Sequence, residues 1–272
     1  PVSIFNSQQV LYCNPASFPV NVGVVDNSLI GAIPDDAEMI WDWGDGTFTY
    51  FDDPDFDDAD LGSTTHDYNN YGSYTIEQVI INHTTGCSDS TTVVIHISET
   101  TASFLVSNDS TCVGTPIDLT STSTSSHPFG TYTYDMGNGG SASGSPTVFT
   151  YNNFGQFDIT HIAINSVGCA DTAIIVDMNA LALPQANITT TAVVGCAPVL
   201  ITNMNNSVVV GNGVGLDSFF WTHPDQSNET TNNVSTTTDY LYTTEGVFTT
   251  SMVVTDVFGC VSPVTSVNMT IT

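Results

Sequence analysis

The sequence contains no lysine and no arginine among its 272 residues, against 28 aspartates and glutamates. An average globular chain has about a quarter of its residues charged, with both signs present. Without cationic side chains the protein cannot neutralise the phosphates of a nucleic acid, so nucleic-acid binding is excluded. The same absence removes the groups used in phosphoryl transfer and Schiff-base chemistry, and it disfavours attachment to an anionic membrane surface.

Other absences narrow the structural class of the protein further. No stretch approaches 18 consecutive apolar residues, so we expect no membrane insertion in this part of the chain. The chain opens on Pro1 without a signal peptide, which leads us to expect a segment of a longer polypeptide. Strong helix formers are scarce, and no apolar pattern of helical period is present, whereas strand-like alternation recurs. The sequence therefore predicts an all-β protein.

An internal repeat organises the chain. A Gly-Cys pair recurs three times, and its cysteine stands 14 or 15 residues after a glycine that is followed two residues later by an aromatic residue, namely Gly72, Gly155 and Gly246. Between glycine and cysteine lies an alternating segment, and a second such segment follows the cysteine, so each copy predicts two strands joined by a turn. Repeats of this length with several short strands each are typical of β-sandwiches. We predict modules over residues 1–99, 100–182 and 183–272, with linkers short enough to give a rod.

The six cysteines follow the same repeat, one early and one late in each module. Even, periodic cysteines indicate an oxidising compartment, and six of them allow 15 pairings. The repeat favours one pairing inside each module, that is Cys13–Cys87, Cys112–Cys169 and Cys196–Cys260. Free buried thiols are the alternative. Zinc is less favoured, because the chain has no Cys-x-x-Cys pair.

One stretch of the first module carries a family resemblance. The run Trp41-Asp42-Trp43-Gly44-Asp45-Gly46, followed by His66-Asp67-Tyr68 and Tyr71-Gly72-Ser73-Tyr74-Thr75, resembles the polycystic kidney disease (PKD) domain. That family is an immunoglobulin-like sandwich. The resemblance implies that the tryptophan fills the core between two sheets, and that Gly-Asp-Gly forms a turn with positive φ. A reduced copy, Tyr134-Asp135-Met136-Gly137-Asn138-Gly139, stands in the second module, and the third keeps only Phe220-Trp221-Thr222-His223-Pro224-Asp225.

Three such modules in tandem resemble the giant surface adhesins of Bacteroidetes, including gliding-motility adhesins exported by the type IX secretion system. The resemblance implies an extracellular, cell-surface location and a role as stalk and ligand presenter in adhesion or gliding. The expected partners are neighbouring modules of a longer chain, with surface glycans or other cell-surface proteins as further candidates. Two alternatives stay open: a carbohydrate-binding accessory region of a secreted enzyme, and a subunit of an extracellular filament.

We expect no enzymatic activity in this chain. Paired carboxylates are the groups of glycoside hydrolysis, but here the acids cluster in one loop, and no Gly-x-Ser-x-Gly motif is present. The run Thr47-Phe48-Thr49-Tyr50-Phe51 offers exposed aromatic rings on which sugars can stack. A strand that follows the turn is the explanation that we favour for this run.

The loop at residues 52–60 is the densest acidic cluster, with six carboxylates in nine residues. Since no lysine or arginine is available to pair with them, Ca²⁺, which takes six to eight oxygen ligands, is the expected remedy. We predict Asp53, Asp55, Asp57 and Asp58 as its ligands, with Asp42 and Asp45 as further candidates. A solvated acidic loop is the alternative.

This prediction has a thermal test. Because a ligand that binds only the folded state stabilises it, millimolar Ca²⁺ should raise the melting temperature of the first module relative to a chelator control. Calorimetry with and without Ca²⁺ measures the difference, and equal melting temperatures contradict the site.

Overall fold

The computed structural model describes residues 1–28, 37–52, 64–224, 227–232 and 236–272. Within these ranges every helix or strand assigned is a β-strand, so the predicted all-β class is confirmed. The strands form three pairs of sheets, each pair drawn from one stretch of chain, which we name the first, second and third sandwich. Over the same ranges there is no helix with the length and apolar character needed to cross a membrane.

The first sandwich has a three-stranded and a five-stranded sheet. The smaller sheet has the order β1-β3-β6, and the larger has the order β2-β8-β7-β4-β5. The strands are β1 (Phe5–Ser7), β2 (Leu11–Cys13), β3 (Val20–Asp26), β4 (Ala37–Asp42), β5 (Phe48–Asp52), β6 (Thr64–Tyr68), β7 (Gly72–Asn82) and β8 (Cys87–Ser98).

A short ribbon connects the first sandwich to the second. It pairs β9 (Thr100–Thr101) with β13 (Thr124–Ser125). The second sandwich repeats the plan of the first, with the orders β10-β12-β16 and β11-β18-β17-β14-β15. Its strands are β10 (Phe104–Val106), β11 (Ser110–Cys112), β12 (Pro116–Ser121), β14 (Phe129–Asp135), β15 (Ser141–Ser143), β16 (Thr147–Thr150), β17 (Gly155–Asn165) and β18 (Ala170–Leu181).

The third sandwich follows the same plan again, with the orders β19-β21-β24 and β20-β26-β25-β22-β23. Its strands are β19 (Ile188–Thr190), β20 (Val194–Gly195), β21 (Val199–Asn205), β22 (Leu216–Thr222), β23 (Asn228–Asn232), β24 (Thr237–Tyr242), β25 (Gly246–Asp256) and β26 (Thr265–Ile271). In all three, a short strand (β2, β11 or β20) lies at the edge of the larger sheet. Of the seven other strands of each sandwich, the first, second and fifth form the smaller sheet, and the third, fourth, sixth and seventh form the rest of the larger sheet. That is the immunoglobulin-like arrangement.

Each core lies between the two sheets of its sandwich. In the first, Trp41 and Trp43 are fully buried and stack with ring centroids 5.7 Å apart. Tyr134 and Trp221 occupy the place of Trp41 in the second and third sandwiches and are equally buried. Burying side chains of this size contributes a few kcal/mol each, so the aromatic position is a main source of stability in every repeat.

The turn after Trp43 is closed by the side chains of the turn itself. Asp42 Oδ1 accepts a hydrogen bond from the Gly44 amide at 2.8 Å, and Asp45 Oδ1 accepts one from the Thr47 amide at 3.0 Å. Gly44 has φ +74° and Gly46 has φ +91°, as the resemblance implied. Asp135 and Asn138 make the same contacts to Gly137 and Gly140 in the second sandwich.

Gly44 and Gly46 provide a matched test of this turn. A Cβ at Gly44 would lie 2.5 Å from the Thr75 carbonyl oxygen, whereas a Cβ at Gly46 meets nothing within 4 Å. Both positions have positive φ, so Gly46→Ala should cost about 1 kcal/mol, and Gly44→Ala should cost at least about 2 kcal/mol more because the backbones must move apart. Denaturant unfolding monitored by tryptophan fluorescence measures both. Equal losses would contradict the close approach of this turn to β7.

Candidate functional site

The two disulfides of the described residues join different sandwiches. Cys13 is bonded to Cys169, and Cys112 is bonded to Cys260, with Cα–Cα distances of 5.4 and 5.5 Å. Each bond thus connects the early cysteine of one sandwich to the late cysteine of the next. The pairing predicted inside each module is wrong, and Cys87 and Cys196 are free and exposed.

The strand pairing gives the reason. The short strand β2 runs parallel to the end of β8, so that Cys13 pairs with Ser98, while Cys87 stands at the beginning of β8. Eleven residues of extended strand separate Cys87 from Ser98, or about 36 Å at 3.3 Å per residue. A disulfide requires Cα atoms within about 7 Å. The two cysteines of one sandwich therefore lie at opposite ends and cannot meet.

Each sandwich therefore has two different ends. The tail end of a sandwich carries its early cysteine and the last residue of its final strand, as with Cys13 and Ser98. The head end carries the turn that holds the late cysteine, as with Asn165–Cys169 in the second sandwich. In both junctions a tail end meets the head end of the following sandwich.

At the first junction, amide and hydroxyl groups form hydrogen bonds beside the disulfide. Asn165 Nδ2 donates to Ser98 Oγ at 2.7 Å and to Thr100 Oγ1 at 3.1 Å. Ser98 and Thr100 both precede β10, the first strand of the second sandwich. Asn165 Oδ1 accepts from the Cys169 amide at 2.9 Å, which fixes the turn that presents the cysteine. One buried asparagine thus shapes the head end and binds the neighbouring tail end.

Histidine side chains also make contacts at the same junction. Ser73 Oγ lies 2.8 Å from His96 Nδ1 and 3.1 Å from His127 Nε2, and His127 Nδ1 lies 3.0 Å from Ser98 Oγ. His96 belongs to β8, and His127 lies between β13 and β14. Burial and then the neighbouring His96 imidazole lower the pKa of His127 from its usual value of 6.5.

The second junction uses a different asparagine. Asn212 Nδ2 donates to Asn179 Oδ1 at 2.8 Å and to the Ala180 carbonyl at 2.9 Å, and Asn212 Oδ1 accepts from the Ala182 amide at 3.0 Å. Asp256 stands where Asn165 stands in the preceding sandwich and holds its turn in the same way, accepting from the Cys260 amide at 2.9 Å. The same turn geometry is therefore reached with either side chain.

The resemblance residues of the first sandwich have structural roles. Tyr68 donates to the Trp43 carbonyl at 2.7 Å, and Tyr151 donates to the Met136 carbonyl at 3.0 Å in the second sandwich. Tyr74 lies beside Tyr68, with ring centroids 4.4 Å apart. These contacts tie the turn to the core rather than to the surface.

Asp45 is occupied by partners within the chain. His66 Nε2 lies 2.8 Å from Asp45 Oδ2, and the Thr47 hydroxyl donates to Oδ1 at 2.6 Å. Burial by itself would raise the pKa of Asp45, but the hydrogen bonds from Thr47 and His66 outweigh it, so that pKa lies below its usual value. Asp42 and Asp45 thus serve the turn.

The predicted calcium ligands Asp53, Asp55, Asp57 and Asp58 lie outside the described residues. In the part of the chain that the structure describes, no group of three or more histidine, cysteine or acidic side chains has the arrangement of a metal site. Phe48 and Tyr50 lie on β5, both at least half exposed, with ring centroids 6.2 Å apart.

Sequence reasoning missed the partners of the cysteines, although one signal was present. Within a module the early and late cysteines are 74, 57 and 64 residues apart. Across neighbouring modules the bonded pairs are 156 and 148 residues apart, which is the more regular spacing. Asn165 and Asn212 had no such signal, because asparagine is common in turns throughout this chain.

Comparison with known proteins finds no matching family model and no matching curated sequence. Among solved structures, the three N-terminal domains of the bacteriophage RB49 highly immunogenic outer capsid protein are 10% identical, with 99% of this chain and 98% of that chain covered and a TM-score of 0.37. The fibronectin(III)-like modules of Clostridium thermocellum CbhA are 14% identical, with 63% and 93% covered and a TM-score of 0.34. The FN1–FN3 domains of chicken CNTN1 are 11% identical, with 99% and 98% covered and a TM-score of 0.29. Similarity at this level assigns no family.

The position of His127 leads to a pH prediction for the first junction. A histidine whose pKa is lowered on folding stabilises its surroundings above pH 6.5, and this contribution is lost as the pH falls through the lowered value. We expect the Ser126 amide, which donates to the Glu99 carbonyl, to exchange with solvent faster at pH 5 than at pH 7.5 after correction for the intrinsic rate.

Hydrogen exchange on the intact chain measures this effect. The His127→Gln variant keeps a polar side chain but does not titrate, so its corrected exchange rate should change less between the two pH values. His83→Gln is the control, because His83 lies 3.2 Å from Glu38 in the first sandwich and away from the junction. A pH dependence that is the same in all three proteins would contradict the role of His127.

Proposed function

We propose that this chain is a load-bearing stalk segment of an extracellular cell-surface protein, built from three PKD-type modules over residues 1–99, 100–182 and 183–272. The observation that carries the proposal is the pair of disulfides between consecutive sandwiches. A covalent bond across each junction, in addition to the peptide linker, resists both bending and separation. A rod that transmits force needs that property, and a domain that only binds a soluble ligand does not.

The path of force through the second sandwich supports this proposal. Tension enters at Cys169, just before β18, and leaves at Cys112, at the end of β11. These strands are parallel and hydrogen-bonded, with Ser110 opposite Asn179 and Cys112 opposite Leu181. Tension therefore slides the two strands along their length, so their evenly spaced hydrogen bonds are loaded together rather than one by one.

An oxidising, extracellular location agrees with the two disulfides. An adhesin of the gliding-motility type, carried by the type IX secretion system, is the form of stalk that we propose, with other modules, surface glycans or cell-surface proteins as partners. In this proposal the chain presents a ligand-binding region rather than performing catalysis. Ca²⁺ bound by Asp53, Asp55, Asp57 and Asp58 would stiffen the first module further.

Pulling a single molecule by its two ends tests the load-bearing role. With both disulfides intact, the shortest covalent path takes 12 residues to Cys13, the 57 residues from Cys169 back to Cys112, and 12 more after Cys260, roughly 80 in all. Full extension is then about 28 nm, against about 95 nm for the reduced chain.

The Cys112→Ser/Cys260→Ser double variant is the decisive comparison. It leaves a path of roughly 115 residues, and so an extension of about 40 nm. Pairing inside each sandwich would give nearly the same length for the unmodified chain, but about 70 nm for this variant. An oxidised unmodified chain that extends to about 95 nm would contradict the covalent rod altogether.

A further inference from the structure

The two free cysteines occupy the two unbonded ends of the row of sandwiches. Cys87 is the late cysteine of the first sandwich and lies at its head end, whereas Cys196 is the early cysteine of the third and lies at its tail end. Every other early cysteine in the structure is bonded to a late cysteine of the next sandwich. The free pair therefore consists of one cysteine of each type.

The tail end at Cys196 has the backbone geometry of the two bonded tail ends. The residue after Cys13 or Cys112 donates its amide to the carbonyl of the last residue of the final strand: Asn14 to Ser98 at 2.8 Å, and Val113 to Leu181 at 2.9 Å. After Cys196, Ala197 donates in a similar way to the carbonyl of Thr272, the residue that directly follows β26, at 3.0 Å. The backbone next to Cys196 is thus held as it is next to Cys13 and Cys112, and Cys196 Sγ lies 3.7 Å from Thr272 Oγ1.

The head end at Cys87 also repeats the bonded ones. In each case a glycine with positive φ precedes the cysteine, namely Gly86, Gly168 and Gly259. In each case the residue at the end of the preceding strand closes the turn through its side-chain oxygen, and Asn82 does so by accepting from the Thr85 amide at 2.9 Å. The first turn is one residue longer than the other two.

The late cysteines differ in exposure between the two bonded head ends and the free one. Cys169 and Cys260 are 0% exposed, because the tail end of the preceding sandwich covers each of them. Cys87, in the corresponding place, is exposed. The covering group that fits there is a tail end with an early cysteine, and Cys196 of a second copy provides one.

We propose that Cys87 and Cys196 are the two halves of a third junction, and that they bond head to tail between copies of this chain. The oxidant is a small-molecule disulfide such as oxidised glutathione. The Cys196 thiolate attacks its S–S bond and releases one glutathione thiolate, and the Cys87 thiolate attacks the resulting mixed disulfide and releases the second. The two protein thiols lose two electrons and two protons, which the two glutathione molecules receive.

This inference extends the proposed stalk, but it is tested separately from force transmission. The 272-residue chain is incubated in a buffer of oxidised and reduced glutathione and separated without reductant. We expect a series of species at multiples of 28.9 kDa that collapses to the monomer on reduction. Because the chain has no trypsin site, an aspartate- or glutamate-specific protease releases the linked peptides, and mass spectrometry should identify Cys87 joined to Cys196.

Complementarity is tested with the Cys87→Ser and Cys196→Ser variants, which each keep one exposed thiol. Both replaced residues are exposed, and the bonds Cys13–Cys169 and Cys112–Cys260 are retained. In an equal mixture with one variant isotopically labelled, the mixed dimer should exceed either homodimer by at least about tenfold, which corresponds to about 1.4 kcal/mol. Dimers in the proportions of random collision, or no dimer in the mixture, would overturn the proposal. Neither result would affect the extension measured for the single chain.

Discussion

The parallel pairing of a short early strand with the end of the final strand determines which cysteines of this chain can bond to each other. It holds Cys13, Cys112 and Cys196 at the tail ends of their sandwiches, about the length of a strand away from Cys87, Cys169 and Cys260. Since a sandwich cannot close its own disulfide, its cysteines are available only to its neighbours. The two disulfides between sandwiches and the two free cysteines, Cys87 and Cys196, follow from that separation.

The lack of lysine and arginine decides the chemistry of the junctions. Where many proteins would use ion pairs, this chain uses hydroxyl and amide groups, such as Ser98, Thr100 and Asn165. Such contacts contribute about 1 kcal/mol each and are directional, so they align the two sandwiches and leave most of the strength to the covalent bond. Unlike surface ion pairs, they also depend little on salt.

Several parts of the fold could be predicted because they leave a local pattern. The alternation between Gly72 and Cys87 predicted a strand, and β7 spans Gly72–Asn82. The glycines of the Trp43 turn predicted positive φ, which Gly44 and Gly46 have. In both cases the signal and the structure lie within a few residues of each other.

The junctions could not be predicted in the same way. Leu11–Cys13 is too short to show a period, and its parallel partner lies more than 80 residues away at the end of β8. The repeat correctly grouped the cysteines into early and late types. It gave no information about which end of a sandwich each type occupies, and that placement depends on tertiary pairing.

The offset of the two disulfides has a consequence for damage to the backbone. The loop closed by Cys13–Cys169 overlaps the loop closed by Cys112–Cys260. If one peptide bond anywhere between Cys13 and Cys260 is hydrolysed, the two fragments remain joined through at least one sulfur bridge. The chain therefore remains one covalent molecule after any single hydrolysis in that span, a redundancy that disulfides closed inside each sandwich would not provide in the linkers.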